Sequence, residues 1–170
     1  MPFRSGFKMS VHYHNRNRVH ADIESELEAT WWEELDQMLA HMDFISIHCP
    51  LNTETHHLLS ERRLRLLQPN AFVINTARGE IIDEAALARL LGEVAISVAA
   101  LVVYEREPDI LPALLHLDNV LLSPLLVSAT LFCRFALAAI VLFYFPPFSS
   151  VPTPPPPLFP RYSFFVFFLF

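Results

Sequence analysis

Glycine is scarce in this chain. Among 170 residues there are three, Gly6, Gly79 and Gly92, far apart from one another. Neither a G-x-G-x-x-G dinucleotide turn nor a G-x-x-x-x-G-K-[ST] phosphate loop can be written with them. Any function that needs a glycine cradle for phosphates must therefore find it outside these residues. Cysteine is scarcer still: Cys49 and Cys133 have neither metal-ligand nor redox spacing, which excludes a disulfide scaffold. The N-terminus lacks the apolar core of a secretory signal, so the expected setting is reducing and cytoplasmic. Excess positive charge is absent as well. The net charge of −6 argues against a nucleic-acid partner. The short basic stretches (Arg16 with Arg18, and Arg62, Arg63, Arg65) sit among acids or on what reads as a helix face, and are read as solvated. Histidine is more plentiful, but His12, His14, His56 and His57 have no further ligand pair at metal spacing, so no metal site is expected.

What is present divides near Thr130. Beyond it only Arg134 and Arg161 carry charge, and 8 of the 14 prolines and 11 of the 15 phenylalanines follow. Pro154 to Pro157 favour polyproline II and admit no helix or central strand. The apolar run Phe135 to Phe145 falls short of the ~20 residues a membrane span needs, and extending it backward brings in Arg134, expensive at mid-bilayer. Phe, Ser, Pro and Leu are largely encoded by pyrimidine-rich codons, so the tail reads as a segment not selected as protein. The expected organisation is residues 1–130 as a folded domain and 131–170 as an apolar, Pro/Phe-rich tail outside the fold.

The first 130 residues alternate between strand and helix patterns. Lys8 to His14, Glu28 with Ala29, Asp43 to His48, Ala71 to Asn75, Val94 to Tyr104 and Val120 to Leu122 read as strands. Trp32 to Met42 places Trp32, Leu35, Leu39 and Met42 at helical spacing. Ser60 is expected to cap a helix that contains Leu64, Leu66 and Leu67 and ends before Pro69. Asp83 is expected to cap Glu84 to Leu91, which ends at Gly92. Leu111 to Leu117 reads as a short helix. The alternation predicts βαβ units and hence a parallel sheet covered on both faces.

Ligands of such sheets bind outside the carboxyl ends of the strands. The residues there are Asn15 and Arg16, Cys49 and Pro50, Thr76 to Arg78, Glu105 to Pro108, and Ser123 to Ser128. Arg78, directly after a buried strand, offers a planar fork for a carboxylate or ketone oxygen, or is a surface arginine at a strand-to-loop junction. Glu107, taken alone, is a loop acid. Asn15 and Arg16 in place of an acid tolerate a 2′-phosphate on a bound ribose.

Three segments then carry a family resemblance: Asp43 to Ser60 (DFISIHCPLNTETHHLLS), Phe72 to Asp83 (FVINTARGEIID) and Tyr104 to Pro108 (YEREP). Over about residues 7 to 130 the chain resembles the D-isomer-specific 2-hydroxyacid dehydrogenases, most of all their glyoxylate/hydroxypyruvate reductase and D-glycerate dehydrogenase branch. The resemblance implies an α/β, Rossmann-type, doubly wound parallel sheet and NAD or NADP as cofactor. It implies an oxidoreductase moving a hydride between the cofactor and a small 2-oxo or 2-hydroxy acid. The catalytic residues it implies are Arg78, for the substrate, and Glu107, which in the family holds a histidine. The cofactor contacts it implies are Asn15, Arg16, Cys49, Pro50, Thr55, Thr76, Ala77 and Arg78.

The departures are as specific. Where the family has P-H-x-x-S-A-T this chain has Ser123 to Thr130, SPLLVSAT, with Leu125 in the histidine position. Val102 stands where the family has an aspartate. The first βα unit with its glycine fingerprint and the separate substrate domain are not found, so the sheet is expected to be incomplete and the chain inactive alone. The alternatives are a non-enzymatic interaction module, pairing with itself or with an intact paralogue, and a membrane-associated remnant.

Overall fold

A computed structural model describes residues 9–125 and Phe135. Every element named below lies within the compact unit that contains Met1–Ser123. The Pro/Phe-rich tail and the apolar run beginning at Phe135 fall outside the described residues, apart from Phe135 itself. Among the described residues no helix is long and apolar enough to cross a membrane.

The sequence begins with a small parallel unit. Strand β1 (Val11–Tyr13) is followed by helix α1 (Ala21–Leu27) and strand β2 (Ala29–Trp31). β1 and β2 pair in parallel, Val11 opposite Ala29 and Tyr13 opposite Trp31. Helix α1 is not foreshadowed by the sequence, because its N-cap is His20, whose ring accepts from the Asp22 N–H, rather than a Ser, Thr or Asp. The unit is tied by charge: Arg18 grips the Glu24 carboxylate with two bonds of 2.8 and 2.7 Å, and the Tyr13 hydroxyl donates to the same carboxylate. These bonds hold the Glu24 carboxyl at about 2, against an ordinary 4.5. The Arg18 guanidinium also lies 5.5 Å from the Trp31 ring centroid.

Next come helix α2 (Leu35–Leu39), strand β3 (Phe44–Ile47), helix α3 (Glu61–Leu64), strand β4 (Phe72–Asn75), a 3-10 turn (Gly79–Ile81), helix α4 (Glu84–Gly92), strand β5 (Val98–Leu101), a second 3-10 turn (Leu114–His116) and strand β6 (Val120–Leu122). Strands β3 to β6 form one sheet in sequence order, every pair parallel. Alternate residues of each strand point into the core, so Ile45, Val73 and Ala99 are buried together with Leu39, Leu64, Leu87 and Leu90 from the helices.

In keeping with the incomplete sheet expected, β1–β2 and β3–β6 are separate, and no described strand bridges β1 and β3. The expected helix ends are adjusted. Ser60 occupies the N-cap of α3 without making a capping bond, and that helix stops at Leu64, leaving Leu66 and Leu67 in the turns that follow. Gly92 is the last residue of α4, and the left-handed position falls two residues later on Val94 (φ 56°). Asp83 does cap α4, its carboxylate accepting from the Ala86 N–H at 3.0 Å.

Candidate cofactor site

The carboxyl ends of β1 and β3 open into a cavity of about 590 Å³. Its polar wall is His14, Asn15, Arg16 and Asn17 after β1, with Asn52, Glu54 and Thr55 from the loop after β3; Leu35, Leu39, Ile45 and Ile47 form an apolar wall. Five residues expected from the sequence therefore meet in one place: Asn15, Arg16, Cys49, Pro50 and Thr55. The Cys49 thiol is half-buried and pushed up by that burial, so it lines the cavity as a neutral group. Burial likewise lowers the pKa of His48, whose Nε2 lies 2.7 Å from the Ser46 hydroxyl.

The loop from Pro50 to Thr55 is fixed by its own side chains. The Asn52 side-chain oxygen accepts from the N–H groups of Glu54 and Thr55 at 2.8 and 2.9 Å. The Thr55 hydroxyl donates to the Pro50 carbonyl at 2.7 Å and accepts from the Asn52 N–H at 2.8 Å. Across the cavity the Asn15 side chain accepts from the Arg16 N–H at 2.9 Å, and Arg16 Nη2 reaches Glu54 Oε2 at 2.6 Å. Asn17, Asn52, Glu54 and His14 belong to this wall although they were not among the expected contacts. For His14 and Asn17 a place beside the end of β1 was the signal that could have included them; Asn52 and Glu54 sit in the loop beyond β3, where no such signal points.

The other expected residues form a second group, after β4 and β5. Thr76, Ala77, Arg78 and Glu107 are not part of the cavity lining. The Asn75 side chain holds the turn by donating to the Arg78 carbonyl and accepting from the Ala77 N–H, at 2.8 and 3.0 Å. Arg78 is exposed, its guanidinium bonded to the Ala77 carbonyl at 2.7 Å, and it has no acid partner among the described residues. Glu107 is bound to its own turn: its carboxylate accepts from the Tyr104 N–H at 3.1 Å.

Three strand ends are locked together beside Arg78. Gly79 packs so closely on the β5 exit that a Cβ there would lie 1.9 Å from the Tyr104 carbonyl carbon. From the β3 side, the His57 N–H donates to the Glu80 carbonyl at 2.8 Å, with His57 at φ 49°. His57 Nε2 also lies 3.2 Å from Glu105 Oε1, and the Glu105 N–H donates to Glu84 at 2.9 Å. The Tyr104 hydroxyl donates to the Ser123 carbonyl at 3.2 Å. Leu125 is 43% exposed.

Comparison with known proteins accords with this geometry. Residues 2–126 match the model of the D-isomer specific 2-hydroxyacid dehydrogenase NAD binding domain. The chain is 39% identical over 150 residues to a glyoxylate reductase of Thermococcus onnurineus, an alignment covering 88% of this chain and 44% of that protein. Among solved structures it resembles a glyoxylate reductase from Paecilomyes thermophila (TM-score 0.72, 33% identity, 82% of this chain and 42% of that one). It also resembles an NADPH-dependent glyoxylate/hydroxypyruvate reductase from Sinorhizobium meliloti solved with NADP and malonate (TM-score 0.73, 31% identity, 82% and 42%). The chain thus spans less than half the length of these relatives. With the parallel α/β architecture and the match over residues 2–126, the chain belongs to the D-isomer specific 2-hydroxyacid dehydrogenase family, as its NAD-binding domain.

Proposed function

We propose that this chain binds the nucleoside half of a nicotinamide dinucleotide in the cavity between β1 and β3, and serves the reduction of small 2-oxo acids such as glyoxylate or hydroxypyruvate. The observation that carries this reading is the convergence of Asn15, Arg16, Cys49, Pro50 and Thr55 on one cavity at strand carboxyl ends. Asn15 and Arg16 face the ribose, and the absence of an acid at that position suits a phosphorylated ribose. Cys49, Pro50 and Thr55 line the opposite side. Among the described residues no glycine lines the cavity, so its described walls fit the nucleoside and offer no cradle for the diphosphate. The cofactor, when bound, supplies the hydride.

Thr76, Ala77 and Arg78 complete the site at the next strand end. A guanidinium free of an acid partner is suited to a substrate carboxylate, and the Asn75 and Gly79 contacts fix the backbone that carries it. Glu107 has no histidine to orient when Leu125 occupies that position, and it serves its own turn instead. Leucine exchanges no proton, and the loss of a general acid/base costs about 10²–10⁴ in rate. The chain alone is therefore a binding domain without turnover. Incubation with NADPH and glyoxylate or hydroxypyruvate tests this: ligand-dependent quenching of NADPH fluorescence with no consumption of the cofactor is expected. Consumption above background would overturn the inactivity, and absence of any NADPH binding would overturn the site.

A further inference from the structure

The ion pair across the cavity mouth points to a determinant of ligand choice. We propose that Glu54 is a specificity residue: it pairs with the Arg16 guanidinium and competes for it with a phosphate on the nucleotide ribose. This rests on the nucleotide-binding reading above.

The backbone on each side of the pair is held in place. Glu54 stands on a loop whose backbone N–H groups are taken by the Asn52 side chain and whose Thr55 hydroxyl is bonded at both ends of the turn. Arg16 follows Asn15, whose side chain accepts its backbone N–H. The two meet at 2.6 Å on the rim of the same cavity. A guanidinium offers carboxylate and phosphate the same planar fork, so one anion is held at the expense of the other. A phosphate arriving at Arg16 also meets the Glu54 charge at close range.

The exposure of the pair sets the size of the effect. Arg16 and Glu54 are 72% and 73% exposed, so water weakens their attraction. The competition then tunes affinity by several-fold and does not lock the site.

The test compares two probes that differ by one phosphate, adenosine 2′,5′-bisphosphate and adenosine 5′-monophosphate, by calorimetric titration of the whole chain. Glu54→Gln is expected to bind the bisphosphate about five-fold tighter than wild type at low salt, with a much smaller change for the monophosphate. The gain should shrink as ionic strength rises, and it should vanish in the Arg16→Gln background, because the coupling runs through that guanidinium. Far-UV circular dichroism confirms that each variant is folded. Equal tightening of both probes, or no change in either, overturns the role of Glu54 while leaving the nucleotide site standing. Failure of wild type to bind either probe removes both.

Discussion

The β1–α1–β2 unit and the four-stranded sheet are both parallel, yet different forces hold them. In the larger sheet the inward residues are apolar and nearly inaccessible apart from Asn75 at the end of β4, with Val73 and Ala99 at 0% exposure and Leu87 and Leu90 above them at 0%. In the smaller unit β2 has no buried residue, and the centre of the assembly is the carboxylate of Glu24 between Arg18 and Tyr13. One half is thus stabilised chiefly by area removed from water, with its ion pairs confined to the partly solvated helix surface. The other depends on a charge staying charged. The candidate cavity lies where the two meet, lined from β1's exit on one side and β3's on the other.

Gly79→Ala should give the largest effect and break the larger half. A methyl at that position meets peptide backbone at 1.9 Å, which no side-chain rotation relieves. We expect loss of cooperative unfolding in far-UV circular dichroism, with a cost of about 3 kcal/mol or more. Leu87→Ala, in the fully buried face of α4, should cost about 2–5 kcal/mol in denaturant titration. Trp31 lies in β2 beside Arg18, whereas Trp32 packs against the larger core, so tryptophan fluorescence in a Trp32→Phe background reports the smaller unit. For Leu87→Ala the far-UV signal should weaken ahead of the tryptophan signal; coincident transitions would mean the halves unfold as one.

Acid should reverse that order. The Glu24 carboxyl is lowered from 4.5 to about 2 in the folded unit, so its contribution is complete above pH 4.5 and is lost as pH falls towards 2. Tryptophan fluorescence should change within that window while the far-UV signal of the larger sheet persists. Tyr13→Phe removes one of the bonds that keep Glu24 ionised and should move the midpoint to higher pH. A midpoint unmoved by Tyr13→Phe would show that the carboxylate does not hold the unit. The smallest effect is expected from Asp36→Asn, which breaks bonds of 2.6 and 2.8 Å to Arg62 and Arg63 at a partly solvated surface. A change below about 1 kcal/mol is predicted by thermal melting.

The contrast between the halves also explains what the sequence disclosed. FISI and FVIN are short apolar runs, too short for helices and bounded by turn residues, which read as buried strands, and β3 and β4 fall where they predict. Helix α1 (ADIESEL) buries Glu24 beside Leu27, so hydrophobic periodicity is blind to it. Of the site, the residues directly after strands were legible because strand ends are where ligands bind. Glu54 was not, because its position is set by an Asn52-centred turn whose geometry appears only when the chain is folded. The separation of Arg78 and Glu107 from the cavity wall was likewise invisible, since spacing along the chain does not tell which strand ends share one hollow.

An amide-resolved NMR titration of the whole chain with NADP tests most directly whether the hollow between β1 and β3 is the nucleotide site. The strongest shifts are expected at Asn15, Arg16, Cys49 and Thr55, with their loss in Arg16→Gln. Shifts centred elsewhere, or none at saturating NADP, would contradict that assignment.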